Sequence, residues 1–226
     1  MSDALPASFI VTPESWTREL PLEGLFGDRK PLEVDVGCGK GRFLTAKARR
    51  QPDRNFLGID RLLARLRKVD RKLTRHALTN VRLLRIEAAY AVQHLLPPDS
   101  VSVFYILFPD PWPKRRHHRR RLFSPEFCNA LDRSLEPGGR LYVATDQFDY
   151  FTHIYKILTG DDRFREIEPY RPDEDEQTDF ERIFLAKGLE IGRCGFRTCD
   201  SSGETRQGKE SPVGQAACNF PSPVIH

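Results

Sequence analysis

Residues 101–108 read VSVFYILF, a run almost without polar side chains. A strand that is apolar along its whole length must be covered on both faces, so it belongs at the centre of a sheet with helices packed above and below. The flanking segments agree. From Leu32 onward short apolar runs alternate with longer amphipathic ones, and strands are predicted at 32–36 (LEVDV), 55–59 (NFLGI), 81–86 (VRLLRI), 101–108, 140–145 (RLYVAT), 163–168 and 189–196 (LEIGRCGF). Helices are predicted at 42–50, at 61–78 (long and basic), in a short piece ending at Leu96, from Ser124 to about Leu135, and at 148–158 and 178–187. Pro52 and the pair Pro97-Pro98 stop two of them. Ser124 followed by Pro125 is an N-cap with proline at the first helical position, and Pro137-Gly138-Gly139 is a turn. Seven strands alternating with helices predict an α/β domain on a mostly parallel sheet.

That domain is expected over residues 31–198. Residues 1–30 carry Pro6, Pro13 and Pro21 with no clear period and are expected to form an arm. Residues 199–226 are Ser/Gly/Pro-rich and aperiodic, which predicts a disordered tail. No stretch approaches the roughly 20 apolar residues of a membrane span, and the first residues lack a secretory layout. A cytoplasmic location and no membrane partner are expected. Five cysteines (Cys38, Cys128, Cys194, Cys199, Cys218) form no C-x-x-C pair, so neither a disulfide framework nor a metal site is expected. The formal net charge of +4 is uninformative, but its distribution is not. Residues 114–121 hold six Lys/Arg, two His and no acid, whereas 173–176 (DEDE) are all acidic.

Asp35-Val36-Gly37-Cys38-Gly39-Lys40-Gly41 stands where the first predicted strand meets a helix, and glycines there admit positive φ and close approach of a ligand. A dinucleotide site needs G-x-G-x-x-G. Here the third glycine comes one residue early and Arg42 follows it, giving D-x-G-x-G-x-G, which resembles the first motif of class I methyltransferases. Acids at strand ends fit S-adenosylmethionine. Asp35 can meet the methionyl ammonium, Asp60 the ribose hydroxyls, and Glu87 the adenine amine with the Ala88 N–H beside it. Asp60 alone would suit a nicotinamide cofactor equally well, and each acid alone reads as a solvated strand end; the three together beside a glycine loop point to a cofactor.

Open α/β sheets bind ligands at the carboxyl ends of their strands, near the switch in strand order. The fourth predicted strand should lie beside the first across that switch, placing Asp110 next to the reacting methyl group. Pro109 and Pro111 limit the backbone on both sides of Asp110, and Trp112 offers an apolar face. The basic run that follows combines guanidinium forks with two histidines, as a phosphate-binding patch requires. Repulsion among six like charges predicts a mobile loop.

PDPWPKRRHHRRR (109–121), with VDVGCGKG (34–41), LGID (57–60) and ATD (144–146), resembles the bacterial tRNA (guanine-N7-)-methyltransferase family. A second signature of that family, T-x-F-E, stands as Thr178-Asp179-Phe180-Glu181. The resemblance implies a class I S-adenosylmethionine-dependent, Rossmann-like fold with seven strands, the last antiparallel, acting as a monomer or homodimer. It implies methyl transfer to N7 of guanosine 46 in the variable loop of tRNA. Asp110 is then the catalytic-site aspartate, while Gly37, Gly39, Gly41, Asp35, Asp60, Glu87 and Ala88 hold the cofactor. Lys114, Asp146, Thr178, Asp179, Phe180 and Glu181 contact the target nucleotide, and Arg115, Arg116, Arg119, Arg120 and Arg121 take tRNA phosphates. The family usually has Glu at the positions of Asp35 and Asp60 and Asp at that of Glu87, so each acid differs by one methylene.

Guanine N7 carries an in-plane lone pair, so the reaction needs alignment more than a general base. Asp110 and Glu181 are expected to accept from guanine N1–H and N2–H₂. An exocyclic-nitrogen methyltransferase would carry a D/N-P-P-aromatic tetrad, which Asp110-Pro111-Trp112-Pro113 does not match. A non-catalytic, or differently specific, RNA-binding protein of the same fold is the alternative.

Overall fold

In a computed structural model describing residues 6–199, the chain forms a sheet of eight strands with helices on both faces. In chain order these are β1 (Ile10–Val11), α1 (Leu22–Phe26), β2 (Leu32–Val36), α2 (Arg42–Arg50), β3 (Asn55–Ile59), α3 (Leu63–Arg75), β4 (Val81–Leu84), α4 (Ala88–Tyr90), β5 (Val101–Leu107), α5 (Pro125–Ser134), β6 (Leu135–Thr145), α6 (Phe148–Thr159), β7 (Phe164–Ile167), α7 (Asp179–Ala186) and β8 (Gly192–Thr198). The strand order is β1-β4-β3-β2-β5-β6-β8-β7. β8 runs antiparallel to both of its neighbours, β6 and β7, and the other pairs in the sheet are parallel. The expected tail, with Cys218, lies outside the described residues.

The sequence predicts seven strands; the eighth is β1. Two residues of the N-terminal arm pair with β4 (Ile10 with Leu83, Val11 with Leu84), and Phe9 beside them is fully buried. So short a strand has no alternation to read.

β5 is the buried central strand that its composition requires, lying between β2 and β6. From β2 the chain builds toward β4, and from β5 it builds the other way, so the switch in strand order falls between β2 and β5. Alternate residues divide the core. Phe104 and Ile106 face one side with α5, α6 and the 91–95 turn, whereas Val103 and Tyr105 face the other with Phe43 of α2. Leu66, Val69 and Leu73 of α3 pack on that second side against Phe56, Leu44 and Leu83.

Local chemistry sets the boundaries. Ser124 caps α5 by accepting the Phe127 N–H at 3.2 Å, and Pro125 occupies the first turn. The short helix ending at Leu96 is α-helical only over α4; Ala91–Leu95 widens into a π-helical turn closed by Leu96 N–H to Ala91 O at 3.1 Å. Arg133 takes three carbonyls of this turn, those of Val92, Gln93 and Leu96. In β6 the Pro137-Gly138-Gly139 turn becomes an irregularity in the pairing, which jumps from Val101–Leu135 to Val103–Arg140. The basic run folds as a 3-10 helix, Arg115–Arg120.

Candidate functional site

A cleft of about 710 Å³ opens at the carboxyl ends of β2, β3 and β5, where the strand order switches. Its walls come from four regions distant in sequence: the glycine loop with Asp35, the ends of β3 and β4, the segment after β5, and the first turns of α7.

Gly37, Gly39 and Gly41 all have left-handed φ (+85°, +55° and +68°). At Gly37 a Cβ would meet no atom within 4 Å, so the backbone presents open space to the cleft. Gly41 is the N-cap of α2, and its own Cβ position is closed by Val69 of α3. Asp35 is buried, and loss of hydration, with a smaller contribution from the Asp60 charge, pushes its carboxyl up to about 7. Asp60 accepts the Leu62 N–H (2.7 Å) and the Gly39 N–H (3.2 Å) and pairs with Arg65 (3.3 Å). Glu87 is exposed and caps α4 through the Tyr90 N–H at 2.9 Å, leaving its other oxygen available; Ala88 lines the cleft beside it.

Across the cleft, Phe108 (φ +57°) and Trp112 (φ +44°) adopt left-handed backbone on either side of Pro109-Asp110-Pro111. Non-glycine residues visit that region at a cost, so surrounding contacts must hold them. Here the contacts are specific. The Phe108 N–H bonds Ala144 O at 2.7 Å, and the Phe108 ring packs 5.5 Å from Phe184. Arg121 donates from Nε to Pro111 O at 2.9 Å while its guanidinium lies 4.8 Å over Tyr150, and Arg120 lies 5.0 Å over Trp112. Burial pushes the Tyr150 hydroxyl up to about 12, and its oxygen accepts the Leu122 N–H at 3.0 Å. The result is a braced shelf on which Asp110 is exposed to the cleft.

Thr178, Asp179 and Phe180 also line the cleft. Thr178 caps α7 by accepting the Glu181 N–H at 3.0 Å. Glu181 itself does not line the cleft. It is buried and paired with Arg193 of β8, and the cost of burial raises its carboxyl pKa despite that partner. Its place is therefore beneath α7, and the target-base contact expected of it is not what the geometry offers. Arg119, Arg120 and Arg121 reach the cleft, whereas exposed Lys114, Arg115 and Arg116 and half-buried Asp146, bonded to Gln147, stand outside it.

Other residues were not legible as site residues. Arg42, next to the last glycine, donates to Gln177 O at 2.9 Å, and Arg50 pairs with Asp173 (2.5 Å), Asp175 (2.8 Å) and Glu176 (3.2 Å). Both belong to α2, so the glycine-loop helix straps the acidic segment leading into α7. Arg61, Arg65 and Ile183 add to the walls. The only advance signal was the charge complementarity between a basic α2 and DEDE. Among the described residues, no group of three or more His, Cys, Asp or Glu could hold a metal ion, and no helix is long and apolar enough to cross a membrane.

Residues 29–193 match a family model described as "Putative methyltransferase". A tRNA (guanine-N(7)-)-methyltransferase of Halorhodospira halophila is 37% identical over 189 residues, covering 76% of this chain and 77% of that protein. Those of Nitrosomonas europaea (37% identical) and Syntrophotalea carbinolica (39%) align with 63% and 65% of this chain. The aligned part spans 64% and 63% of their own lengths, just under two thirds. Among solved structures, a 16S rRNA methyltransferase, KamB, superposes with a TM-score of 0.60 at 18% identity, covering 79% of this chain and 92% of that one. The antibiotic-resistance methyltransferase Kmr gives 0.55 at 21%, covering 80% and 92%. These likenesses establish the class I methyltransferase fold.

Proposed function

Since the chain belongs to the tRNA (guanine-N(7)-)-methyltransferase family, we propose that it transfers the methyl group of S-adenosylmethionine to N7 of a guanosine in tRNA, at position 46 of the variable loop. The observation that carries this reading is the single cleft in which the glycine loop, the braced Asp110 shelf and the first turn of α7 face one another.

The residues present fit the cofactor. A buried carboxyl beside a second acid calls for a cation, and the ligand's ammonium would supply one to Asp35. The open space at Gly37 admits a ligand against the backbone. A carboxylate offers about four acceptor positions, and three on Asp60 are engaged. Accepting both ribose hydroxyls therefore requires Arg65 or the Gly39 N–H to give way. The free oxygen of Glu87 and the backbone at Ala88 would take the adenine. When bound, S-adenosylmethionine supplies an electrophilic methyl carbon on a positively charged sulfur.

No side chain needs to remove a proton from N7. The protein's part is alignment and recognition, and well-oriented reactants remove much of an entropic barrier. Asp110 accepts hydrogen bonds from guanine N1–H and N2–H₂, a donor pair that adenine lacks, and its charge favours the positive charge developing on the base. Phe180, half-exposed at the opposite lip, gives the base an apolar face, and Thr178 and Asp179 bound its edge. Glu181 fixes α7 from below through Arg193. Arg119 and Arg120 take phosphates, with Lys114, Arg115 and Arg116 further along the same strand of RNA, while Arg121 braces the shelf. The location is cytoplasmic, with tRNA.

The test is methylation of bulk tRNA with isotopically labelled cofactor, followed by nucleoside mapping. Label in 7-methylguanosine at position 46 is expected, and tRNA carrying 7-deazaguanosine there should remain unlabelled. Label in another nucleoside, or none, rejects the assignment.

A further inference from the structure

The function proposed above uses the cations of the 3-10 helix and leaves those of α3 unexplained. Residues 61–75 contain seven Arg/Lys (Arg61, Arg65, Arg67, Lys68, Arg71, Lys72, Arg75) and one acid, Asp70. Leu66, Val69 and Leu73 are fully buried and fix how the helix sits. At the helical period of about 3.6 residues, Arg67, Lys68, Arg71 and Arg75 then fall on the opposite side, where all four are exposed.

The nearby acids are committed elsewhere. Asp70 points toward the arm, accepting the Phe9 N–H at 2.7 Å and the Ser8 hydroxyl at 3.3 Å. Asp60 is held by Arg65. Lys72 is half-buried and donates to Lys40 O at 2.8 Å. Among the described residues, no ion pair engages any of the four outward cations. Arg67 and Arg71, and Arg71 and Arg75, stand four apart, the spacing at which like charges on a helix repel. The fold gains nothing from this repulsion, and the described residues give these four cations no ion-pair partner.

Position indicates what supplies one. Arg61 and Arg65, at the start of this stretch, line the cleft, and α3 leads away from there for about 20 Å. The 3-10 helix flanks the cleft elsewhere, so the basic surface continues past the site in two directions. Arginine forks suit phosphate oxygens. The outward stripe carries no large apolar side chain to enter a bilayer, and its remaining member is Ala64. We propose that the outward face of α3 is a second phosphate-binding surface, holding the backbone of the same tRNA away from its target nucleotide. The inference rests on tRNA being the substrate.

The test replaces Arg67, Lys68, Arg71 and Arg75 together by glutamine, which keeps length and helix propensity. tRNA binding is then followed by fluorescence anisotropy across a salt series. Each phosphate contact contributes roughly 0.7–0.9 to the slope of log K against log salt, so the slope should flatten by about 3 if all four engage. Binding at low salt should weaken at least tenfold, while kcat at saturating tRNA and the affinity for S-adenosylhomocysteine stay unchanged. A short hairpin carrying only the target guanosine and its stem should bind parent and variant alike. An unchanged tRNA slope overturns the proposal, as does an equal loss on the hairpin. Loss of binding to phosphatidylglycerol vesicles with the tRNA slope retained assigns the face to lipid and also overturns it. N7 methylation by the parent protein is scored separately, so a retained slope in an active enzyme removes the α3 surface without touching the proposed reaction.

Discussion

Asp35 and Asp110 are carboxylates facing one cleft from opposite environments, and each should respond to replacement in its own way. Asp35 is buried, and its carboxyl titrates near 7 in the fold against 3.8 unperturbed. The folded protein therefore binds the more tightly held proton. Stability from this group is complete below about pH 4, declines as pH rises through 7 and levels off above, a span on the order of 4 kcal/mol at most. Asp35→Asn should flatten that decline in the ligand-free protein, measured by urea unfolding at pH 5 and pH 8; an undiminished difference would show that another group is responsible. Asp110 is exposed, so Asp110→Asn should leave stability and tRNA affinity nearly intact while methyl transfer falls by about 10²-fold or more. Parallel losses in binding and rate would remove it from the chemistry. Strand-end acids were legible because a strand's end is a local feature. Glu181 was not: Thr178-x-x-Glu181 has capping-box spacing, and the cap forms through Thr178, but the Glu181 carboxylate turns to Arg193, twelve residues on in β8.

Helices and strands were legible where their burial is periodic, and α2 occupies its predicted residues, 42–50. The ends of α3 were not, because the predicted start at Arg61 is replaced by a turn in which Asp60 binds the Leu62 N–H. Nor was the pairing of α2 with α3, which turns on one glycine. Gly41 has φ +68°, and a Cβ there would lie 2.6 and 2.7 Å from the two methyl carbons of Val69. Gly41→Ala therefore incurs backbone strain and overpacking together, about 2–4 kcal/mol. Chemical denaturation should show this, and a Val69→Ala background should recover only the packing part. A destabilisation under 0.5 kcal/mol would mean that the two helices separate easily.

At the scale of the molecule, the switch between β2 and β5 brings the glycine loop and the Asp110 shelf together, and alternation of strands and helices made that legible. The wall formed by the start of α7 was not, because Arg42 and Gln177 are 135 residues apart and no local period connects them. Through Arg42 and Arg50, ordering of the glycine-loop helix is coupled to the segment that starts α7. S-adenosylhomocysteine at about 100 times its Kd should stabilise the fold by about 2.7 kcal/mol, which for a chain of this size raises Tm by roughly 5–10 °C. Hydrogen exchange should slow across 173–187 as well as in the glycine loop. Slowing confined to the loop would show that the strap transmits nothing. The sheet's outer strands have a consequence of another kind. A strand edge is a template on which a second chain can add, and long flat edges seed fibrils. Here β1 offers two residues on one side, while β7 offers four on the other with Arg165 and Glu166 exposed among them. Removing residues 6–11 would uncover β4, whose Val81, Leu83 and Leu84 are apolar, and turn a blunt margin into a nucleus for aggregation.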